Sequence, residues 1–258
     1  MVMDESELQY GELHYERRIV AYFDVLGWRS EIEQAGQDAR KIARIAIVPK
    51  TFGQGVSQIS AQTPGAHLTS FSDNVVVSAP YKIDRLQSSL DSLAMIQLRL
   101  AFAGFWLRGA ITIGPLIHNQ DLVFGPALNR AYELESNHAK YPRILIDNNI
   151  EEFSKIDADF VHTESGWRFT DPFDTNFINR KMSSNFDMEL VARLTKTANA
   201  AAPTTSPRAS AEVLLGSVLQ RVVAELNNTT RQEDREKHVW LFNRIAPRLG
   251  ISQKWDSA

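Results

Sequence analysis

The chain of 258 residues contains no cysteine. This absence excludes disulfide bonds, thiol nucleophiles and cysteine-ligated metals, and it fits a reducing compartment, so we expect a cytoplasmic protein. The sequence also lacks a long apolar run, because no stretch approaches the roughly 18 residues that a membrane helix needs. Its first residues are acidic and contain no apolar signal region, so we expect no membrane partner.

The sequence has no strong charge of either sign. Its formal net charge is -3, which argues against a broad cationic surface and therefore against a nucleic-acid partner. The 6 histidines are scattered without the spacing of a zinc site. Ser70 and Ser72 have no nearby His-Asp arrangement, and no phosphate-loop lysine motif is present. The sequence thus argues against a zinc site, a serine-hydrolase site and a phosphate-binding loop of the lysine type.

What is present is apolar patterning typical of an α+β protein. Hydrophobic residues make up 43% of the chain, enough for one large domain or a domain with a helical extension. Strand and helix patterns alternate along the first two thirds of the chain. Strands are predicted at 18–25, 67–79 (a hairpin around Ser72-Asp73-Asn74), 105–113, 122–124, 142–146, 158–163 and 166–170. Helices are predicted at 30–60 (interrupted by Pro49), 86–100, from 126, and at 148–154 with Asp147 as the cap.

The last third of the sequence is helical in character. Helices are predicted at 186–200, 209–227 and 231–249, with a flexible linker at 202–207. We therefore expect a lead-in at 1–17, a catalytic domain at 18–180 and a helical C-terminal extension at 181–258. The extension either packs on the domain or stabilises a dimer. The predicted fold is an α+β sheet with helices on one face.

One stretch stands out, from Arg18 to Trp28. An apolar strand ends in Asp24, and a short turn then leads into a helical pattern near Ser30. A carboxylate beside free backbone N–H groups could hold a divalent metal on one side and phosphate on the other. The alternative is that Asp24 only caps the following helix.

A second aspartate occupies an equivalent position. Asp73 lies where another apolar strand meets a turn, so adjacent strands would bring Asp24 and Asp73 to one edge of the sheet. Two close aspartates repel unless a cation neutralises them, and hard cations such as Mg²⁺ and Mn²⁺ prefer such oxygen ligands. This pattern suggests a two-metal site for chemistry at phosphorus. The alternative is that Asp73 only shapes its hairpin turn.

Four segments in order resemble the catalytic domain of class III adenylate/guanylate cyclases. They cover the region 17–170 and imply a ferredoxin-like βαββαβ core. More narrowly, the chain resembles the bacterial pyrimidine cyclases of the Pycsar anti-phage systems, and most of all a uridylate cyclase. The segments are Phe23-Asp-Val-Leu-Gly-Trp28, Phe71-Ser-Asp-Asn74, Arg108-Gly-Ala-Ile-Thr-Ile-Gly114 and Phe124-Gly-Pro-Ala-Leu-Asn-Arg-Ala131.

The resemblance implies roles for particular residues. Asp24 and Asp73 would bind two Mn²⁺ or Mg²⁺ ions, with the Val25 carbonyl as an extra ligand. Asn129 would orient the ribose, and the active site would lie between two head-to-tail domains of a homodimer. The 3′-hydroxyl of a nucleoside triphosphate would attack the α-phosphate and release pyrophosphate. The implied nucleotide-binding residues around the turn are Phe23, Val25, Leu26, Gly27 and Trp28, the last three through backbone N–H groups.

Two departures from the cyclase pattern concern the base. Purine cyclases usually place polar residues that read the base edge where this chain has Thr69 and Leu122. Purine cyclases select their base through hydrogen bonds from these residues, so their loss argues against ordinary selection of ATP or GTP. A pyrimidine is smaller, and a bulky side chain, either Phe52 or Tyr22, would fill the remaining space.

A third departure concerns a phosphate-binding arginine, which is replaced by Glu133. The candidates for the missing cation are Arg130, Lys140, Arg143 and Arg108. Arg143 is favoured because it enters a strand of the same sheet. Arg108 has an alternative role as a structural ion-pair partner.

The expected activity is conversion of UTP to 3′,5′-cyclic UMP and pyrophosphate. The resemblance implies that a separate cyclic-nucleotide-sensing effector reads the product during antiviral defence. The alternatives are a cytidylate cyclase, a purine cyclase with an atypical pocket, and a degenerate domain that senses nucleotide without turnover. Glu133 is the best support for the degenerate domain.

Overall fold

The computed structural model describes residues 13–183 and 211–256. It is a mixed α+β structure. The strands are β1 (Glu16–Val25), β2 (His67–Phe71), β3 (Asn74–Pro80), β4 (Leu107–His118), β5 (Val123–Phe124), β6 (Ile144–Ile146), β7 (Val161–Glu164) and β8 (Trp167–Thr170). The helices are α1 (Trp28–Ala35), α2 (Ala39–Ile45), α3 (Ile47–Gln62), α4 (Leu86–Ala103), α5 (Pro126–His138), α6 (Glu151–Ser154), α7 (Thr175–Ser183), α8 (Ala211–Asn228) and α9 (Gln232–Ile245).

The strands form one mixed sheet with β1 near its centre. The order is β2-β3-β1-β4-β6-β8-β7, and β5 pairs with β4 outside this path. β1 is antiparallel to both β3 and β4, whereas β6 is parallel to β4. A strand with apolar neighbours on both faces reads as a continuous hydrophobic run, which explains the sequence Ile19 to Phe23.

Helices cover both faces of the sheet, so the prediction of helices on one face was wrong. Ile19, Ala21 and Phe23 point to the face covered by α3 and α4, where most of the core lies. Alternation sends Val20 and Tyr22 to the opposite face, where they pack beneath α5. Asp24 shares the face of Val20 and Tyr22. The candidate site therefore lies on the side of α5.

The C-terminal helices pack on the domain. Leu215, Val218 and Val222 of α8 and Leu241 and Phe242 of α9 belong to the same buried cluster as α4. The predicted helix at 186–200 and the linker at 202–207 lie outside the described residues. The boundary expected at residue 180 stays a prediction. Among the described helices, none is long and apolar enough to cross a membrane.

Two local predictions were wrong in detail. The 30–60 region is broken twice, between Ala35 and Ala39 and again at Ala46. Pro49 does not break it, because it lies in the first turn of α3, where its missing N–H removes no helical hydrogen bond. Asp147 does not cap α6, which begins at Glu151 after Ile150. The strands predicted in the hairpin and at the 158–170 region are confirmed, with small differences at their ends.

Candidate functional site

Asp24 and Asp73 lie together at the end of β1, as expected from the sequence. Asp24 is in register with Asn74, and the Val25 N–H donates to the Asp73 carbonyl oxygen at 2.9 Å. Ser72 has a φ of 59°, an uncommon left-handed conformation that closes the β2–β3 turn. Asn74 Nδ2 donates to Asp73 Oδ1 at 3.0 Å. The turn thus carries one carboxylate to the strand end that bears the other.

Asp24 is held by an arginine from the neighbouring strand. Arg108 faces Asp24 in register, and its Nε donates to Asp24 Oδ2 at 2.7 Å. The same Nε lies 2.7 Å from Glu135 Oε1 on α5, yet Glu135 Oε1 has no hydrogen bond among the described residues. The two observations agree, because Nε carries one hydrogen and directs it to Asp24. Burial raises the pKa of the Glu135 carboxyl.

The surroundings of the aspartate pair are negative. Tyr22 Oη donates to Asn74 Oδ1 at 2.6 Å. Burial, followed by the charges of Glu135 and Asp24 and smaller contributions that include Asp73, raises the pKa of Tyr22 to about 12. A cation bound here would relieve this repulsion.

The donor set of the aspartate pair fits a divalent cation only in part. The described residues contain no group of three or more His, Cys, Asp or Glu side chains that could hold a metal. Asp24 and Asp73 supply two carboxylates, and the Val25 carbonyl is the third oxygen expected at the strand end. Mg²⁺ commonly binds through one or two carboxylates and takes its other ligands from water and substrate phosphates. The residues therefore fit an ion that arrives with a phosphate substrate.

The turn after β1 offers fewer N–H groups than the sequence suggested. The Leu26 N–H donates to the Trp106 carbonyl at 2.9 Å, so the structure contradicts its expected role as a phosphate donor. Gly27 is left-handed, with a φ of 74°, and open space lies where a Cβ would be. Trp28 begins α1, and the first N–H groups of a helix have no partner within it. Gly27 and Trp28 thus remain as candidate phosphate donors.

Phe23 and Phe52 lie on the wrong face of the sheet for contact with a nucleotide. Both are fully buried, and the Phe23 ring of β1 and the Phe52 ring of α3 lie with their centres 5.4 Å apart between the sheet and this helix. Phe23 was expected to bind nucleotide, but its side chain cannot do so from this buried position, and the suggestion that Phe52 fills the base pocket is contradicted for the same physical reason. Tyr22 lies on the correct face, where its ring meets Tyr132 edge-on at 5.5 Å. Of the two bulky candidates, only Tyr22 can border the site.

Asn129 is exposed on α5 and is not directed towards the aspartates. It precedes Glu135 by six residues, which is about 9 Å along a helix and about 240° around it. Glu135 points towards Arg108 and Asp24, so Asn129 points away from them. The structure therefore does not bring Asn129 and the aspartate pair together within one chain.

Arg143 is buried where a phosphate cannot reach it from the site. Its guanidinium lies 5.2 Å from the Phe169 ring centre and 5.7 Å from that of Tyr141. Burial lowers the pKa of Arg143, and its Nε and Nη1 have no hydrogen-bond partner among the described residues. The structure thus does not support the expected catalytic position of Arg143 within its own chain.

The other candidate cations form ion pairs with different carboxylates. Arg130 donates to the Asp147 carboxylate from Nη2 at 2.9 Å and from Nε at 3.0 Å. Lys140 Nζ lies 2.8 Å from Glu236 Oε2. Arg108 alone among the four candidates touches one of the two aspartates. Alternation along β4 places Arg108 on the Asp24 face, so the strand pattern could have ranked it first.

The region expected to hold the base contains a histidine that sequence reasoning missed. Thr69 Oγ1 lies 2.9 Å from His118 Nε2. His118 pairs with Val123, the neighbour of Leu122, so β2 and the β4–β5 connection meet at this imidazole. The same alternation that places Arg108 on the site face also places His118 there.

Comparisons with known proteins return only solved structures. No protein-family model and no curated protein matches the chain. Seventy-nine solved chains match its fold. A class III adenylyl cyclase-like ATP-binding protein from Pseudomonas aeruginosa has a TM-score of 0.43 and 13% identity, covering 93% of this chain and 72% of that one. The guanylyl cyclase domain of the RhoGC fusion protein from Blastocladiella emersonii has a TM-score of 0.41 and 14% identity, covering 61% and 95%. The guanylyl cyclase Cya2 has a TM-score of 0.38 and 14% identity, covering 61% and 94%.

Proposed function

We propose that the protein is a divalent-metal-dependent nucleotide cyclase that converts UTP to 3′,5′-cyclic UMP and pyrophosphate. The observation that carries the proposal is the juxtaposition of Asp24 and Asp73 through the Val25–Asp73 hydrogen bond. The reaction itself is inferred from the resemblance of four sequence segments to those of class III cyclases. Two of these segments contain Asp24 and Asp73.

The reaction needs positioning and charge neutralisation more than covalent catalysis. The 3′-hydroxyl of the ribose loses its proton to water, its oxygen forms a bond to the α-phosphorus, the bond from phosphorus to the bridging oxygen breaks, and pyrophosphate leaves. Asp24, Asp73 and the Val25 carbonyl would hold two Mn²⁺ or Mg²⁺ ions, which supply charge neutralisation when bound. The N–H groups of Gly27 and Trp28 would hold the triphosphate.

Arg108 is the cation best placed to serve this site. Its Nε holds Asp24 and lies against Glu135, and its side chain is about one third exposed. For Asp24 to hold a metal ion, Arg108 would have to leave this carboxylate. Its side chain would then be available to the phosphates, in the role that Glu133 cannot perform.

The complete site requires a second copy of the chain. Asn129 points away from the aspartates of its own chain, so it can orient a ribose only at the site of a partner. Four large aromatic side chains lie exposed on described parts of the chain around α5 and the hairpins, a feature typical of a surface that is covered in an assembly. They are Tyr15, Phe71, Phe124 and Tyr132. We propose a homodimer with the site at its interface.

A pyrimidine substrate follows from the residues around the base. Leu122 offers no hydrogen bond through its side chain, and Thr69 is short and engaged with His118. Leu122 therefore gives a purine edge no polar partner, and Thr69 offers only one short hydroxyl in place of the longer polar side chain usual in purine cyclases. By resemblance to the Pycsar cyclases, the product would signal phage infection in the cytoplasm to a separate cyclic-nucleotide-sensing effector.

A nucleotide sensor without turnover is the second candidate. It is favoured by Glu133 at the arginine position and by the burial of Arg143. Metal-dependent turnover separates the two candidates.

The test is incubation of the purified chain with ATP, GTP, CTP and UTP, each with Mn²⁺ or Mg²⁺, and separation of the products by mass. Cyclic UMP is the expected product. Asp24→Asn and Asp73→Asn should abolish it, and the exposed Asp84→Asn is the matched control. A cyclic purine nucleotide would overturn the base assignment, and absence of product from a folded dimer would favour the sensor.

A further inference from the structure

A continuous hydrogen-bonded chain runs from the sheet interior to Thr69. Arg18 Nε donates to Ser78 Oγ at 2.9 Å, Ser78 Oγ lies 2.9 Å from His118 Nδ1, and Thr69 Oγ1 lies 2.9 Å from His118 Nε2. Arg18, Ser78 and His118 are all at least nine-tenths buried. Bulk water therefore does not supply alternative partners along most of this chain.

The direction of the first hydrogen bond is fixed by chemistry. A guanidinium only donates, so Ser78 Oγ must accept from Arg18. The hydroxyl hydrogen of Ser78 then needs an acceptor, and the remaining partner among the described residues is His118 Nδ1. A buried hydroxyl hydrogen without an acceptor is unfavourable. Ser78 therefore donates to Nδ1.

The tautomer of His118 follows from this direction. Burial, together with the nearby His67 and Arg18, lowers the pKa of His118 to about 4, so the ring is neutral at pH 7. A neutral imidazole whose Nδ1 accepts carries its hydrogen on Nε2. That hydrogen points to Thr69 Oγ1, which accepts it.

Thr69 is thus left with its own hydroxyl hydrogen to donate. A ligand carbonyl facing Thr69 would accept this hydrogen. A ligand amino group would instead bring a second donor to the oxygen and leave the hydroxyl hydrogen without an acceptor. Because Arg18 can only donate, the direction of every hydrogen bond from Arg18 to Thr69 is fixed. Thr69 therefore favours a base that presents a hydrogen-bond acceptor over one that presents an amino group.

We propose that Arg18, Ser78 and His118 position Thr69 as a hydrogen-bond donor that selects a base with a keto oxygen at this edge, so that uracil is preferred to cytosine. The inference rests on the proposed function, because it takes Thr69 as the residue that faces the base. It adds a reason for UTP over CTP that Thr69 and Leu122 alone do not give. The same polarity would favour guanine over adenine if a purine entered.

The first experiment compares kcat/KM for UTP and CTP in competition. The wild-type chain should prefer UTP by at least tenfold. Ser78→Ala frees the imidazole to adopt either tautomer, so the preference should fall at least fivefold, mainly through KM. Thr69→Val removes the donor and should bring the preference close to one, whereas Thr69→Ser should retain it. Ser57→Ala, an exposed serine on α3, is the matched control and should leave the ratio unchanged.

The second experiment observes the tautomer without turnover. In ¹⁵N NMR spectra of the full chain, with the His118→Gln variant used for assignment, His118 should carry its hydrogen on Nε2. Ser78→Ala should give a mixture of both tautomers. A hydrogen on Nδ1 in the wild-type chain, or a UTP/CTP ratio that Ser78→Ala and Thr69→Val leave unchanged, would overturn the inference.

The two proposals can fail separately. If no triphosphate is converted, binding of UTP and CTP to the same variants replaces kcat/KM as the measure of preference. Tighter binding of UTP that is lost in Thr69→Val would keep the inference while the cyclase assignment fails. Equal binding of both nucleotides would overturn the inference whatever the turnover.

Discussion

Asp24 and Arg108 face each other in register across β1 and β4, and Arg108 Nε donates to Asp24 Oδ2 at 2.7 Å. The arginine thus occupies the side of the carboxylate that faces α5, where it also lies against the buried Glu135. The free protein balances the negative charge of its site with its own cation. Metal binding and the Arg108 ion pair are therefore expected to compete.

This competition predicts opposite effects on metal binding and catalysis. Arg108→Gln should increase the affinity of the free protein for Mn²⁺, because Asp24 no longer has a cationic partner. The same substitution should lower kcat for UTP about 10- to 100-fold, since the phosphates lose their nearest cation. Isothermal titration with Mn²⁺ and steady-state assays measure the two effects. A parallel fall in metal affinity and kcat would contradict the predicted competition.

The stability of the same variant provides a separate prediction. Arg108→Gln leaves Glu135 buried without its cation, which should lower the free energy of unfolding by about 1–3 kcal/mol. Adding Glu135→Gln removes the buried carboxylate and should recover part of the loss. Urea unfolding of the two single variants and the double variant measures the coupling. Strictly additive effects would show that the two side chains do not interact.

The aspartate pair, the strands and the hairpin could be predicted because they depend on local patterns. Asp24 and Asp73 each lie where an apolar strand meets a turn, and antiparallel pairing then leaves few alternatives for their placement. The continuous apolar run of β1 indicates that both faces are covered, but it does not show which helix covers which face, so the position of α5 on the face of Asp24 could not be predicted. Arg143 was misplaced for a similar reason, since its cover of aromatic side chains comes from distant segments, including Phe169. The engagement of the Leu26 N–H with Trp106 likewise depends on a tertiary contact.

Mixing two inactive variants tests the homodimer. Asp24→Asn should inactivate a site through its metal, and Asn129→Ala through its ribose contact. If one site takes Asp24 from one chain and Asn129 from its partner, a mixed dimer retains one intact site of two. Random exchange of subunits makes half the dimers mixed, so activity should recover to about a quarter of wild type. Failure to recover after verified exchange would show that both residues act from one chain.

The stability of the fold should depend on pH through His118. Its pKa is lowered to about 4 in the folded chain, by burial first and then by His67 and Arg18, whereas an unfolded histidine titrates near pH 6.5. Between these values the unfolded state binds more protons, so the free energy of unfolding falls as pH decreases from about 6.5 to about 4. The full shift corresponds to about 3 kcal/mol. His118→Phe should reduce this slope relative to wild type, and urea unfolding at pH 7.5, 6 and 5 measures it.

The ion pairs of the buried Asp171, which follows β8, should govern the stability of the fold at acid pH. Asp171 is fully buried, and Arg244 Nε and Arg248 Nη2 each lie 2.6 Å from its Oδ2, which attaches α9 and the turn after it to the end of β8. Burial alone would raise the pKa of Asp171, but the two arginines outweigh it and hold the pKa below its ordinary value. The stabilisation is therefore complete above about pH 4 and is lost as pH falls through the lower folded value.

Asp171→Asn should lower the free energy of unfolding at pH 7 by about 3–5 kcal/mol, because it leaves two partly buried arginines without their anion. The difference from wild type should shrink as pH falls below about 4, because the carboxylate of the unfolded wild-type chain then takes up a proton before that of the folded chain does. Asp174→Asn, a neighbouring aspartate without an arginine partner among the described contacts, is the matched control. Chemical unfolding at pH 7 and pH 3.5 measures both variants. Equal stability of Asp171→Asn and wild type at pH 7 would show that the C-terminal helices are held by apolar packing alone.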